Sequence, residues 1–582
     1  MKKFVKILCI ILALAMVVPM GLISCGSDTD KKEEGGKKEE EAKELVIFAD
    51  GKSDYTIVRP DSSPTVLTDA VTSFRAAFKD KFGAEPDISS DWVKKGEEVP
   101  VGTKEILVGN TNRPETAEVK KALEKDTFII KAVGNRLVFV ADSDSLLVSA
   151  LAYFVENYVE KSDGTVKVPT DFVYVGTLED YAPFKDNGDG TVTVMLKNFI
   201  ITYDSSSIYS FIPSVAKVFG ELAEEKTGLV GVSEDATVNE YEILFGACER
   251  EQFTVMDKPY LFRDYSIVFK DGKLCVNAIS IYGFQRAMEY MLEGFGDEGI
   301  TIPTAGYFSE YDYGIGAYAD LYKNYENGYL DGAWIINMCH RGDVTGGLPE
   351  NSIPAYQSCI DNKVDIIETD LKCTKDGIWV VCHDKKLDRT TNGSGTIANM
   401  TWSQIQKVKL KSKNGGSGAK VTDERMPTLE NIIDLCHGKT LFNLDHLGPE
   451  MFQSVYDVFE KKGAVDMAQF KTSEWSAADL TNWFCKLMKE GRELPLFSPL
   501  LYSNTVEGMR AFRGLTSLTE TGKGHNAGTA GIAKDCNIRL LCMTALSPEL
   551  DGPDTWKGYR EVGYLGIMTD EPIKLKNFIH GS

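Results

Sequence analysis

Residues 105–156 align with residues 242–293 at a constant offset and without a gap, and an internal repeat of that length restricts the amino-terminal half to two copies of one folding unit. Glu105-Ile-Leu-Val-Gly109 matches Glu242-Ile-Leu-Phe-Gly246, and Arg113, Leu137, Ala141, Ala150, Tyr153 and Glu156 recur as Arg250, Leu274, Ala278, Ala287, Tyr290 and Glu293. In the first copy the apolar runs predict strands over 105–108, 128–132 and 136–141, a helix over 146–158 and a preceding helix near 70–82. Two small α/β domains in tandem, residues 45–180 and 181–320, are therefore expected.

The chain has 582 residues, 43% of them hydrophobic and 26% charged. That composition can bury sizeable cores and excludes both wholesale disorder and a multi-span membrane protein. A formal net charge of -22 and a pI near 4.9 repel phosphate backbones, so no nucleic acid partner is expected.

Lys2, Lys3 and Lys6 precede an uninterrupted apolar run over 7–18, then Pro19 and Leu22-Ile23-Ser24-Cys25. This order of charged, apolar and small-residue regions is that of an export signal, and the tetrapeptide resembles a bacterial lipobox. The resemblance implies a signal peptide over 1–24 and lipidation of Cys25 as the mature terminus. Residues 25–44, mostly charged with little to bury, read as a solvated tether. The expected location is the outer face of a bacterial cell membrane, reached through the lipid anchor only. Of twelve cysteines, those beyond Cys25 include Cys275, Cys339, Cys373, Cys382 and Cys542 inside apolar strand-like runs, where a thiol behaves as a small hydrophobe. Free, buried thiols follow.

All six histidines lie between His340 and His580, and neither repeat contains one. Acid/base chemistry is therefore sought in the carboxy-terminal region. There an apolar strand leads into His340-Arg341-Gly342 and a glycine-rich loop, and a helix is predicted after Pro349-Glu350-Asn351. Glu368 and Asp370 are two residues apart, so on an extended strand they share a face. A hairpin folding at Asp376-Gly377 sets Asp370 opposite His383, to within a slip of a residue. Acids flanked by Ile366, Ile367 and Leu371 need a cation or hydrogen-bond partners if buried.

The ordered set HRG at 340, PEN at 349, ETD at 368, TKDG at 374, VVCHD at 380, LDRTTNGSG at 387, MPTLENII at 426 and GYLGIMTDEP at 563 resembles the glycerophosphodiester phosphodiesterase family. The resemblance covers about 250 residues and implies a (β/α)8 TIM barrel over 321–582, with its site at the carboxyl ends of the strands. It further implies that Glu368, Asp370 and a later acid hold one Ca²⁺ or Mg²⁺, that Arg341 binds the diester phosphate, and that His340 and His383 share proton transfer. Glu350 and Asn351 would support these groups, and Gly342, Gly346 and Gly347 would let backbone approach the substrate.

The third acid departs from the pattern. The family strand usually reads E-x-K, whereas this chain has Phe442-Asn-Leu-Asp-His-Leu447, so Asp445 stands for the acid and Leu447 for the lysine. His446, the strand neighbour of Asp445, should face the other way. His437, His525 and His580 lie outside any motif and read as surface or structural, and the stretch 522–531, rich in Gly, Ala and Asn, reads as a mobile loop near the mouth. The implied function is metal-dependent hydrolysis of glycerophosphodiesters, or of polyglycerol-phosphate material, to an alcohol and glycerol phosphate. Two alternatives stay open: a non-catalytic barrel that binds phosphodiester or cell-wall polymers, and a sphingomyelinase D-like lyase.

Overall fold

A computed structural model describes residues 44–581 except 95–98, 101, 178–183, 197–198, 205–206, 228–231, 235–240, 247, 249, 252, 295–298, 328–334, 446, 502–504, 522–526 and 546. Cys25, the signal segment, nearly all of the tether, His446 and His525 lie outside the described residues.

Two six-stranded sheets precede the carboxy-terminal region and share one strand order. The first runs 87–90, 56–59, 105–108, 136–141, 127–133, 173–177. The second runs 232–234, 200–203, 242–245, 273–278, 265–270, 307–309. In each, the first four strands are parallel and the last two join antiparallel. The helices beside them are capped by serines that are equivalent in the repeat: Ser143 accepts from the Leu146 N–H and Ser280 from the Gly283 N–H. The repeated Glu and Arg form a buried ion pair in each sheet, Glu105–Arg113 at 3.0 Å and Glu242–Arg250 at 2.9 Å. A pair out of water persists only when its hydrogen bonds are satisfied, which here ties the first residue of a central strand to the loop after it.

The carboxy-terminal sheet closes on itself. Its parallel strands are β1 (Ile336–His340), β2 (Ile366–Cys373), β3 (Leu441–Asp445), β4 (Ala468–Thr472), β5 (Leu496–Leu501), β6 (Leu518–Thr521), β7 (Arg539–Met543) and β8 (Gly566–Thr569), with β8 pairing back onto β1. The strands expected to end at His340 and to carry Glu368, Asp370 and Asp445 form part of the wall. Inside the barrel, polar side chains form a chain of hydrogen bonds: the Asn443 amide donates to Gln469 Oε1 at 2.6 Å, and Gln469 donates to the Tyr325 hydroxyl. Tyr325 belongs to the helix Ala317–Asn327, whose backbone carbonyls at Asn324 and Tyr325 also accept from the buried Arg539 guanidinium at the start of β7. This helix thus meets the amino-terminal end of the barrel, away from the functional rim, and the expected boundary at 320/321 falls inside it.

The same helix meets the loop that leads into strand 265–270 of the second sheet, since Glu326 pairs with Arg263 at 2.8 Å, and Arg263 lies over the rings of Tyr311, Tyr282 and Tyr322. Tyr282 also donates to the Pro495 carbonyl at 2.8 Å, and the Ile281 N–H to the Gly514 carbonyl at 2.9 Å. The ten cysteines among the described residues are free, and all but Cys373 are buried. No described helix is long and apolar enough to cross a membrane. The stretch expected as a mobile loop is helical from Ala527 onward, because Ala530 and Ala533 pack inward.

Candidate active site

β1 ends at His340, and the next residue turns the chain sharply: Arg341 has φ +57° and Gly342 φ +81°. A Cβ at Gly342 would lie 2.7 Å from the Tyr356 ring, so packing against the helix Ile353–Asp361 requires a glycine here. Ser352 caps that helix by accepting from the Ala355 N–H at 3.3 Å, which sets Glu350 and Asn351 in the loop above the strand ends.

The parallel registers carry the rest. His340 lies opposite Glu368, and Asp370 opposite Asp445. These registers bring Glu368 and Asp370, on one face of their strand as alternation predicts, beside Asp445 at the end of the neighbouring strand, as the resemblance implies. Glu368 is 1% exposed, and its carboxylate accepts from the Arg341 backbone N–H at 3.1 Å. Burial pushes its carboxyl well above the ordinary range. The charges of Asp370 and Asp445 add to that push, while Lys471 and Arg341 oppose it. Asp370 Oδ2 accepts from the Asn351 amide at 3.0 Å and lies 3.2 Å from Arg341 Nε. Asn351 is held in turn by the Tyr356 hydroxyl at 3.0 Å.

The hairpin register differs from expectation by one residue. Leu371 pairs with Val381, and the Cys382 N–H donates to the Asp370 carbonyl, so Asp370 faces Cys382, not His383. Cys382 is pulled into a small apolar cluster with Val380, Leu387, Ile397, Ile405, Leu410 and Met426 beneath the long segment that leads to β3. His383 follows at the surface of that cluster, 29% exposed.

Each of the two histidines has a carboxylate on Nδ1. His340 Nδ1 is 2.8 Å from Asp570 Oδ1, and His383 Nδ1 is 2.6 Å from Asp384 Oδ1. Arg389 grips Asp384 through Nε and Nη2 at 2.8 and 2.9 Å, and Glu350 through Nη1 and Nη2 at 2.9 and 2.7 Å. These hydrogen bonds hold the Asp384 carboxyl well below its usual range. Glu350 lies 3.6 Å from Arg341 Nη1. One chain of contacts therefore runs His383, Asp384, Arg389, Glu350, Arg341, Asp370.

Sequence reasoning missed four of these groups. Asp384, Arg389 and Asp570 stand inside the motifs; Asp384 adjoins His383 and lies five residues from Arg389, a spacing open to reading, whereas the Glu350–Arg389 and His340–Asp570 pairs span 39 and 230 residues. Lys471 stands in no motif. Its Nζ, 2.5 Å from Asp445 Oδ2, brings a cation to the acid cluster, while Leu447 is buried in the core. Lys372, two residues beyond Asp370 on the same strand face, donates to the Leu371 carbonyl at 3.0 Å and feels Asp370, Asp445 and Glu368 electrostatically. His437 pairs with Asp466 at 3.0 Å on the surface, and His580 is exposed in the last helix, in keeping with structural or surface roles.

Hard divalent ions take oxygen donors, and Glu368, Asp370 and Asp445 offer carboxylates on neighbouring strands. The donor chemistry fits. In this arrangement, however, no three His, Cys, Asp or Glu side chains among the described residues converge as a metal-binding group. Arg341 and Lys471 are drawn into the acids instead.

Residues 340–482 match the Glycerophosphoryl diester phosphodiesterase family. The glycerophosphodiester phosphodiesterase of Caldanaerobacter subterraneus subsp. tengcongensis is 40% identical over 102 residues, covering 18% of this chain and 40% of that protein. A glycerophosphodiester phosphodiesterase of Bacillus subtilis is 40% identical over 110 residues, covering 17% of this chain and 36% of that protein. The chain thus spans about two fifths of the length of these relatives. A solved glycerophosphoryl diester phosphodiesterase from Parabacteroides distasonis aligns with 46% of this chain and 93% of its own at 22% identity, with a TM-score of 0.38. The family match takes in both histidines, Arg341, Glu350, Asn351, the three acids and Lys471.

Proposed function

We propose that the protein is an extracytoplasmic, metal-dependent phosphodiesterase that hydrolyses glycerophosphodiesters, or polyglycerol phosphate, to an alcohol and glycerol phosphate. The observation that carries the reading is the pair of imidazoles, His340 and His383, each with Nδ1 against its own carboxylate. A histidine so held presents Nε2 for proton transfer. One ring takes the proton of the attacking water, and the other gives a proton to the alkoxide oxygen as its bond to phosphorus breaks. Arg341, poised between Asp370 and Glu350, is a planar donor suited to phosphate oxygens. Glu368, Asp370 and Asp445 would hold one Ca²⁺ or Mg²⁺, which when bound supplies positive charge toward the phosphoryl oxygens.

The amino-terminal reading supports an exported, lipid-anchored protein with Cys25 as its lipidated residue. The common strand order of the two sheets, with their equivalent Glu–Arg pairs, supports tandem units near 45–180 and 181–320 that carry the barrel without contributing to its chemistry.

The test is to incubate the full chain with glycerophosphocholine, glycerophosphoethanolamine and polyglycerol-phosphate fragments, with Ca²⁺, Mg²⁺ or chelator. Glycerol phosphate release that needs the cation, and that is lost in His340→Ala and His383→Ala, is expected. A cyclic phosphate product would instead indicate a lyase. Binding without turnover across the whole set would overturn the enzyme reading.

A further inference from the structure

Lys471, one residue before the end of β4, has a side chain only 2% exposed. Its Nζ lies 2.5 Å from Asp445 Oδ2 and 3.0 Å from Glu520 Oε2. The three residues come from β4, β3 and β6. Leu444 lies opposite Phe470 in the β3–β4 register, which makes Asp445 and Lys471 the next lateral neighbours along the barrel wall. A buried ammonium is expensive unless anions surround it. Here two carboxylates lie within 3.0 Å of it. With its contacts made inward and almost none of it open to solvent, Lys471 is poorly disposed to grip a substrate. It is well disposed to orient Asp445 and to cancel charge among the acids, a task that Leu447, an apolar side chain two residues past the end of the neighbouring strand, cannot perform.

We propose that Lys471 is the resident counter-ion of the rim acids: it fixes Asp445 in place and carries positive charge that a divalent cation supplies when Lys471 is removed. Lys471 is on this account a positioning residue, acting through Asp445. The inference rests on the reading of these acids as a cation site, and its test does not depend on turnover.

The experiment compares melting temperatures of the full chain, Lys471→Met and Lys471→Met/Glu520→Gln, each in chelator and in millimolar Mg²⁺ or Ca²⁺, with glycerophosphocholine turnover of the unaltered chain measured in parallel. Lys471→Met keeps the side-chain length and loses the charge. In chelator it should melt roughly 5 °C or more below the unaltered chain, since it removes the cation that the buried Glu520 and the partly buried Asp445 both contact. Either cation should restore more of the melting temperature in this variant than it adds to the unaltered chain, and Glu520→Gln should restore part of it without any cation. If Lys471→Met does not fold while the double variant does, charge balance is again the cause. The inference is overturned if Lys471→Met melts like the unaltered chain in chelator. It is equally overturned if neither cation nor Glu520→Gln restores the loss, or if both variants fail to fold. Absence of turnover in the unaltered chain would sink the phosphodiesterase reading and leave the melting comparison standing.

Discussion

His340 Nδ1, at the end of β1, lies 2.8 Å from Asp570 Oδ1, one residue beyond β8. The two strands that close the barrel therefore deliver the two halves of one imidazole–carboxylate pair. Asp570 is itself steered: its backbone N–H donates to Asp551 Oδ2 at 2.8 Å, while Asp551 Oδ1 accepts from Thr544, Thr569 and Trp556. Replacing Asp570 by Asn keeps the shape and removes the charge that stabilises an imidazolium. Asp570→Asn should lower kcat on the order of 10²-fold, toward the lower end of what a positioned acid or base contributes. KM and melting temperature should change little. Steady-state kinetics beside a thermal melt check this, and an unchanged kcat would remove His340 from proton transfer.

The second unit depends on a cation. Arg389 bridges Asp384 and Glu350, so Arg389→Met should lower kcat by loosening His383 and should also change the acid limb of stability. The Asp384 carboxyl is depressed in the folded chain by its hydrogen bonds to Arg389. Its contribution is thus present above the unfolded carboxylate pKa of about 3.9 and lost as pH falls through the depressed folded value. The melting-temperature gap between the unaltered chain and Arg389→Met should hold steady from about pH 7 to 5 and close below about pH 4. A gap that widens on acidification would contradict the assigned sign.

His340, Arg341 and the Glu368–Asp370 face were legible because each rests on strand alternation or on a motif confined to a few residues, and the barrel was legible through the family resemblance that the ordered motifs carry. The hairpin was legible only to within one residue. Sequence alternation cannot tell that Cys382 is claimed by the apolar cluster around Leu387 and Met426, and that claim decides which residue faces Asp370. Lys471 was not legible at all. Its partners Asp445 and Glu520 come from strands separated by whole helices, so the juxtaposition exists only once the parallel registers are set. The same holds for the Asn443–Gln469–Tyr325 layer.

Glu368 is the residue whose ionisation the fold resists most plainly, because burial and the neighbouring Asp370 and Asp445 all raise its pKa. A carboxyl whose folded value is raised weakens the fold as pH rises toward and through that value. Glu368→Gln should therefore raise the melting temperature in chelator at pH 7 while abolishing turnover. The gain should shrink as pH falls toward the ordinary Glu value of about 4.3. Differential scanning calorimetry at pH 7 and pH 5 reads this, and a destabilised variant at pH 7 would show that the carboxylate is balanced as it stands.

Leu447 occupies the place where the resembling family keeps a lysine, and the simplest repair would restore it. The structure argues against that repair. Leu447 is 5% exposed and belongs to the main apolar core, so Leu447→Lys forces an ammonium into that core or drags its neighbours apart. The variant should lose roughly 2–4 kcal/mol of stability through lost apolar burial and an unpaired polar group, with no gain in kcat/KM for glycerophosphocholine. A rise in kcat/KM would mean that the phosphate lacks a cation that Arg341 and its neighbours do not supply.

Gly342 links packing to the rim chemistry most directly. It follows Arg341, whose backbone already sits at φ +57°, and it has φ +81° with no room for a Cβ beside the Tyr356 ring. An alanine there meets two costs, the left-handed backbone and the ring contact, so Gly342→Ala should lose roughly 1–3 kcal/mol. The loss will not stay local. Tyr356 holds Asn351, Asn351 holds Asp370, and the Arg341 N–H holds Glu368, so relief of the clash by movement of either Tyr356 or the turn shifts an acid of the rim. The expected signature is a fall in kcat/KM larger than the loss of stability explains, measured well below the variant's melting temperature. Tyr356→Phe, which keeps the ring and drops its hydroxyl, should show a smaller fall in activity with little change in packing. If Gly342→Ala only lowers the melting temperature and leaves kcat/KM intact, the turn is a structural necessity and does not position the acids.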